Sequence, residues 1–581
     1  MLADKGGKEM KISTSFKFIG GIVMMIFLLV PYSATGASSA SDPPVTCEEI
    51  AKIQVPNAII KATTVVLAGA QQFVQSPGYP TPQNVTLPAE ICRVQGTAKP
   101  TSDSRINFEL WVPARGWNQK IMVFGNRTYS GLMNSPPEAP TVMASMASQI
   151  ARGYATLVGD SGHDTDDMMF VVGHPEKMAD WGFRSINAIT KAAKYILTAS
   201  KGTAPKYSYY QGCSTGGHQG LAEAQRYPED FDGILVGAPC NNRLRLNIGF
   251  LNMFLANHNP GDNINPIIPI STTDPDPVKR NKLPMIQAKV IEMCDTADGV
   301  QDGIMDDPRK CVDPVFDAAR DLQCHGADAP NCLTAAQVTA LNKLHSGAID
   351  LRPTVNNVTN PNYKKPIYQW PKGVEASMLG YMGLSGIPAR TDFWRYWVFD
   401  KSDWNWWTFD FNRNFTYADF KVSSVIDNIN PNLKPFKDRK GKMIIYHGWA
   451  DGVVSATDTA LYYDNVVKTV GGTGPNALAD TQSFIRLFLV PGMDHCSGGF
   501  CPTGMPAPAS SQNDWIMALE NWVENGVAPD MIIGAYIASD KVDMTRPICA
   551  YPKIAKYKGP APANLSNPLV KEASNWFCEN P

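Results

Sequence analysis

A chain of 581 residues is long enough for several domains and a large buried core, and 46 glycines with 45 prolines imply many loops. A net charge of −2 with 18% charged residues leaves no basic footprint, which argues against nucleic acid as a partner. Twelve cysteines point to an oxidising compartment if they pair.

The N-terminus agrees with export. Lys5, Lys8, Lys11 and Lys17 precede an apolar run from Phe18 to Val30, followed by the small residues Ala34, Gly36, Ala37 and Ala40. That run is short for a membrane span and suits the hydrophobic region of a signal peptide. Residues 1–40 are therefore expected to be a cleaved leader, with an uncleaved anchor as the alternative. The mature protein is expected to be secreted or periplasmic and free of the membrane.

From Thr46 to Cys240 strand-like and helix-like stretches alternate. RINFELWVPA (105–114), KIMVFG (120–125) and GYATLVGD (153–160) read as strands, and a helical stretch covers 181–199. An aromatic strand with Tyr207, Tyr209 and Tyr210 follows, and FDGILVGAP (231–239) is the next strand. Such alternation implies a mostly parallel sheet with helices on both faces. From 241 to 432 the rhythm breaks into a stretch rich in Pro, Asn and Asp, and it returns with KMIIYHG (442–448) and FIRLFLVPG (484–492). The expected architecture is an α/β-hydrolase domain over 41–240 and 433–581, split by a large inserted lid domain over 241–432.

Gly212-Cys213-Ser214-Thr215-Gly216 fits G-x-S-x-G between that aromatic strand and a helix-compatible run from Leu221 to Gln225. This is the context of a nucleophile elbow, which raises a serine hydroxyl above the sheet. A serine needs a base within hydrogen-bond reach, and in this fold the chain order is nucleophile, acid, histidine. Asp451 follows the late strand KMIIYHG, and His495 follows the last strong strand and is the one histidine after Asp451. Order and strand context select Ser214, Asp451 and His495; Asp494 is the weaker acid, because a chain neighbour seldom reaches the ring. Cys213 precedes the serine and Cys496 follows the histidine, so a bridge between them would tie nucleophile and base segments together.

GCSTGG (212–217), HGWADGVVSA (447–456), VPGMDHCSGG (491–500), CDTADGVQDGI (294–304) and RPICAYPKIAKYKG (546–559) together resemble the tannase and feruloyl esterase family, from about Cys47 to Cys578. The resemblance implies that Ser214, Asp451 and His495 are the triad and that Cys213–Cys496 is bridged. It also implies disulfides 47–92, 294–311, 324–332 and 549–578, and structural Ca²⁺ held by Asp295, Asp298, Asp302 and the carbonyls of Val300 and Ile304. An all-oxygen set of that kind suits a hard cation, although the spacing is not that of an EF-hand. The oxyanion hole is expected to use the amides of Thr215 and, in the loop Gly125-Asn126-Arg127-Thr128-Tyr129-Ser130-Gly131, of Thr128. Relatives often carry more glycine where this chain has Arg127 and Thr128.

Cys240 and Cys501 are left over. Both fall near the elbow by chain position, and export favours pairing, so a sixth bridge, Cys240–Cys501, is expected, with two free buried thiols as the alternative. The tryptophans from Trp370 to Trp407 are expected to be mostly core, with a few lining the cleft. Asn126 lies in a glycosylation sequon but should stay bare. The function expected is hydrolysis of small esters of aromatic, phenolic acids through an acyl-enzyme. Hydrolysis of terephthalate monoesters is the alternative within that chemistry, and a non-catalytic binding module is the alternative outside it.

Overall fold

The computed structural model describes residues 46–73, 83–129, 142–163, 167–350, 366–499, 504 and 508–580. The leader expected over 1–40 and the cysteine at 501 lie outside the described residues. Nine strands form the main sheet: β1 (Ala58–Val66), β2 (Ile91–Ala98), β3 (Ile106–Pro113), β4 (Lys120–Phe124), β5 (Ala155–Gly159), β6 (Tyr207–Cys213), β7 (Gly233–Gly237), β8 (Lys442–Gly448) and β9 (Ile485–Val490). Their spatial order is β1-β2-β3-β5-β4-β6-β7-β8-β9. The strands from β5 to β9 in that order run parallel, while β1, β2 and β3 are antiparallel to their neighbours.

The parallel strands are mostly buried, β5 and β7 at every position, and β7 reads simply as Gly-Ile-Leu-Val-Gly. A strand covered on both faces needs no polar alternation. Six helices matter here: α1 (Val142–Ala151), α2 (Ser185–Lys201), α3 (Thr215–Arg226), α4 (Arg243–Asn257), α5 (Ala456–Val466) and α6 (Trp515–Asn525). On one face α2, α3 and α5 pack Ile189, Leu221 and Tyr463 against Val123, Val236 and Ile445. On the other, α1 and α6 pack Met146 and Leu519 against Met122, Leu235 and Ile444. The chain is an α/β-hydrolase-like fold, as the alternation of its sequence implied.

Among the described residues, 241–432 add no strand to this sheet. Their first helix, α4, carries two apolar stripes. Leu246, Phe250 and Met253 enter one cluster with Ile286, Leu341 and Trp370. Leu244, Ile248 and Leu251 enter a second with Trp181, Trp394 and Trp397. A helix apolar on two sides must be buried on both, so α4 is the spine of this region. Trp370, Trp394, Trp397 and Trp404 are buried core, as expected, whereas Trp406 and Trp407 are only partly covered.

Five disulfides close as the resemblance implied: Cys47–Cys92, Cys213–Cys496, Cys294–Cys311, Cys324–Cys332 and Cys549–Cys578. The bridge expected at Cys240 is not among them. Cys240 is a free, buried thiol whose sulfur lies near the hydroxyls of Ser214 and Thr215.

Candidate active site

Ser214 stands at the turn between β6 and α3 with φ 61° and ψ −118°, a conformation that a non-glycine residue holds only under constraint. Its amide donates to the Gly237 carbonyl at 3.0 Å, so the turn is pinned to the end of β7. The neighbouring glycines are sterically required: a Cβ on Gly217 would lie 2.3 Å from the Gly237 oxygen. Such closeness of strand and helix puts Ser214 at the carboxyl end of the parallel strands, with the first amides of α3 behind it.

Asp451 and His495 occupy the loops after β8 and β9, at that same end. His495 Nδ1 lies 2.7 Å from Asp451 Oδ2, so the ring is held in the tautomer that leaves Nε2 unprotonated. Cys213–Cys496, with Cα atoms 5.9 Å apart, joins the residue before Ser214 to the residue after His495. Serine, acid and histidine segments therefore converge although the bridge spans 283 residues of sequence.

The Asp451 carboxylate is fully buried. Burial alone opposes its ionisation, but the charge of His495 and hydrogen bonds from His447 and His495 more than offset this and hold the carboxyl well below its usual range. Two amides, of Val453 and Val454, also donate to Oδ1, each at 2.8 Å. His447 was not singled out from the sequence as a site residue. Its Nε2 faces Asp451 Oδ2 at 3.1 Å and the Val454 carbonyl at 3.0 Å, while Nδ1 faces the Thr459 hydroxyl at 2.8 Å. Two acceptors around Nε2 make it the donor, and its i,i+4 spacing to Asp451 was the available signal. Asp494 takes no part in the pair, and burial together with the charge of Asp451 raises its carboxyl.

The loop after β4 lies against the start of α3. Asn126 and Gln219 exchange hydrogen bonds, each 2.9 Å, and Asn126 Nδ2 donates to the Gly159 carbonyl. An asparagine engaged in this way has no free amide for a glycan. Thr128 follows with φ 52°, its carbonyl accepting from the Thr215 hydroxyl. Sequence reasoning also missed Arg243 on α4, which is buried and donates to Thr215 Oγ1 at 3.0 Å and Cys240 Sγ at 2.8 Å. The Cys240 sulfur is 3.9 Å from Ser214 Oγ.

The acidic loop lies between Cys294 and Cys311, which are bridged. Asp295 accepts from the amides of Gly303 and Ile304, and Asp298 from those of Val300 and Asp306. Asp302 takes the amide of Ile304 and an ion pair with Arg546 at 2.9 Å. Val300 and Ile304 are buried beside them. Arg546, 244 residues away, is the partner that sequence reasoning did not identify, and it also faces Asp306 at 3.5 Å. Burial and the Asp306 charge push Asp298 up to about 7, and burial pushes Asp306 up to about 6. Among the described residues no three acidic, histidine or cysteine side chains are placed to share one metal ion. The donor chemistry still suits a hard cation, since Asp302 and Asp306 share the Arg546 guanidinium, Asp298 feels the charge of both, and both Asp306 oxygens are buried without a hydrogen-bond partner.

A family model described as tannase and feruloyl esterase matches residues 92–578. An uncharacterized esterase of Xanthomonas campestris pv. campestris is 32% identical, with 95% of this chain and 94% of that protein covered. The mono(2-hydroxyethyl) terephthalate hydrolase of Piscinibacter sakaiensis is 31% identical, with 85% of each covered. The crystal structure of feruloyl esterase B from Aspergillus oryzae superposes with a TM-score of 0.77 at 26% identity, covering 92% of this chain and 99% of that one.

Proposed function

The chain belongs to the tannase and feruloyl esterase family, and from that premise we propose that it is an exported serine carboxylesterase acting on small esters of aromatic, phenolic acids. Ser214 Oγ attacks the ester carbonyl while His495 Nε2 takes its proton, and Asp451 holds the ring and stabilises the imidazolium that forms. The amides of Thr215 and Thr128 receive the negative oxygen of the tetrahedral intermediate. His495 then returns the proton to the departing alcohol, leaving an acyl-Ser214 ester. Water, deprotonated by the same histidine, attacks that ester, and the acid leaves as the Ser214 hydroxyl re-forms.

The observation that carries this reading is the Asp451–His495 contact of 2.7 Å on the segment bridged to the residue beside Ser214. Ser214→Ala should lower hydrolysis of methyl ferulate on the order of 10⁴-fold or more in a folded protein. Retention of a tenth of the activity would sink it. A panel of methyl ferulate, methyl gallate and a terephthalate monoester ranks the acyl groups, with the phenolic esters expected ahead. Export is supported by the leader-like residues 1–40 and the five bridges. We assign calcium to Asp295, Asp298, Asp302 and the carbonyls of Val300 and Ile304, where it would neutralise the acidic loop and stiffen it.

A further inference from the structure

Catalysis by the triad makes no use of the Thr215 side chain, yet that hydroxyl joins the two segments from which the oxyanion donors come. It donates to the Thr128 carbonyl and accepts from Arg243 Nη2 at 3.0 Å. A hydroxyl has one proton and a guanidinium can only donate, so the Thr215 proton is committed to Thr128. Thr128 sits at φ 52°, where a β-branched residue is strained and stays only if its surroundings hold it. Upstream it is anchored by Gly125, whose amide donates to Gln211, and by the Asn126–Gln219 exchange. Downstream, Tyr129 stacks on Trp181 with ring centroids 4.9 Å apart and accepts from Asn247 at 2.9 Å. The Thr215 hydroxyl holds the strained residue between those anchors.

Arg243 gives this contact a fixed base. Its guanidinium is buried and lies 5.0 Å from the Trp181 ring centroid and 5.1 Å from that of Tyr129. Together these rings and the Cys240 sulfur, 2.8 Å from Nη2, define where its donors point. The cation also stands beside the N-terminus of α3, where it adds to the positive potential of the helix.

We propose that Thr215, through its hydroxyl, and Arg243 are positioning residues of the oxyanion hole. The chain Arg243–Thr215–Thr128 sets the separation of the Thr215 and Thr128 amides. This rests on the serine-esterase reading above. An oxyanion donor contributes only when it lies about 2.7–3.1 Å from the developing charge, so loosening this chain weakens transition-state binding and spares substrate binding.

Thr215→Val removes the hydroxyl at constant shape, and Thr215→Ser keeps it. With p-nitrophenyl butyrate, Thr215→Val should lower kcat roughly 10–100-fold with KM within about twofold. Affinity for a trifluoromethyl ketone, which forms a tetrahedral adduct on the serine, should fall by a similar factor. Thr215→Ser should recover kcat to within about threefold. Arg243→Lys, which keeps charge but not the fork, should lower kcat with the same unchanged KM and tests the idea independently if Thr215→Val does not fold. Thr215→Val retaining half of the native kcat, or Ser and Val losing it equally, overturns the proposal. Ser214→Ala is assayed alongside: activity surviving there refutes the esterase site itself, whereas its loss beside an unimpaired Thr215→Val refutes only the positioning role.

Discussion

Two regions of this molecule bury aspartates, and they treat them in opposite ways. Asp451 is ringed by donors, two imidazoles and two amides, and its carboxyl is held low. Asp306 is buried and Asp298 partly so, both beside other carboxylates with Arg546 as the shared cation, and both are pushed up. Burial is common to the two; the number of donors aimed at each carboxylate decides the sign. The first arrangement is complete within the chain and orients a histidine. The second is short of positive charge and suits a cation from solution.

The comparison breaks most severely at Asp451. Asp451→Asn removes the charge and offers His495 Nδ1 an amide that can enforce the wrong tautomer, so kcat should fall on the order of 10⁴-fold with the fold retained. A loss below tenfold would mean that another group orients the ring. At the acidic loop the expected loss is of stability. Arg546→Met leaves Asp302 and Asp306 buried without their counter-charge and should cost about 3–5 kcal/mol in urea unfolding. An unfolding midpoint equal to the native one would show that the loop does not depend on Arg546.

Chelation sharpens the contrast further. EGTA, or Asp302→Ala, should lower the melting temperature by several degrees while kcat measured below the transition stays within about twofold, the result expected of a proposed cation that binds the native state alone. Metal analysis finding no calcium in protein purified without chelators would remove the second half of the comparison. The smallest effect is on the acid side of the stability curve. The folded-state pKa of Asp451 lies below its unfolded value of about 3.9, so its stabilisation is full above that pH and is lost as pH falls through the lower folded value. Asp451→Asn should flatten the acid limb of the melting curve below about pH 4, and an unchanged limb would contradict the assigned shift.

The elbow and the order serine, acid, histidine were legible because each depends on a few residues adjacent in sequence. A glycine turn between an aromatic strand and a helix is a local pattern, and Asp451 and His495 each follow a strand whose apolar run is unmistakable. The antiparallel edge β1–β2 was less legible because β1 is only half covered and carries no continuous apolar run. The state of Cys240, a free thiol where a bridge to Cys501 was expected, was less legible for a related reason. Chain position brought Cys240 to the right neighbourhood, but the direction of its thiol was set by Arg243 and Thr215.

By itself, then, the sequence determined the parallel sheet, the turn that lifts Ser214, the two loops that bring an acid and a base to it, and the cysteines flanking both. Each follows from local periodicity, glycine sterics or motif spacing. The tertiary structure decided which groups share a charge or a proton across the folded chain. Thr215 meets a carbonyl 87 residues away, and Asp302 meets a guanidinium 244 residues away. No local pattern records such pairings, because a buried donor or carboxylate takes whichever partner the packed sheet and helices bring to it, and burial makes that partner indispensable.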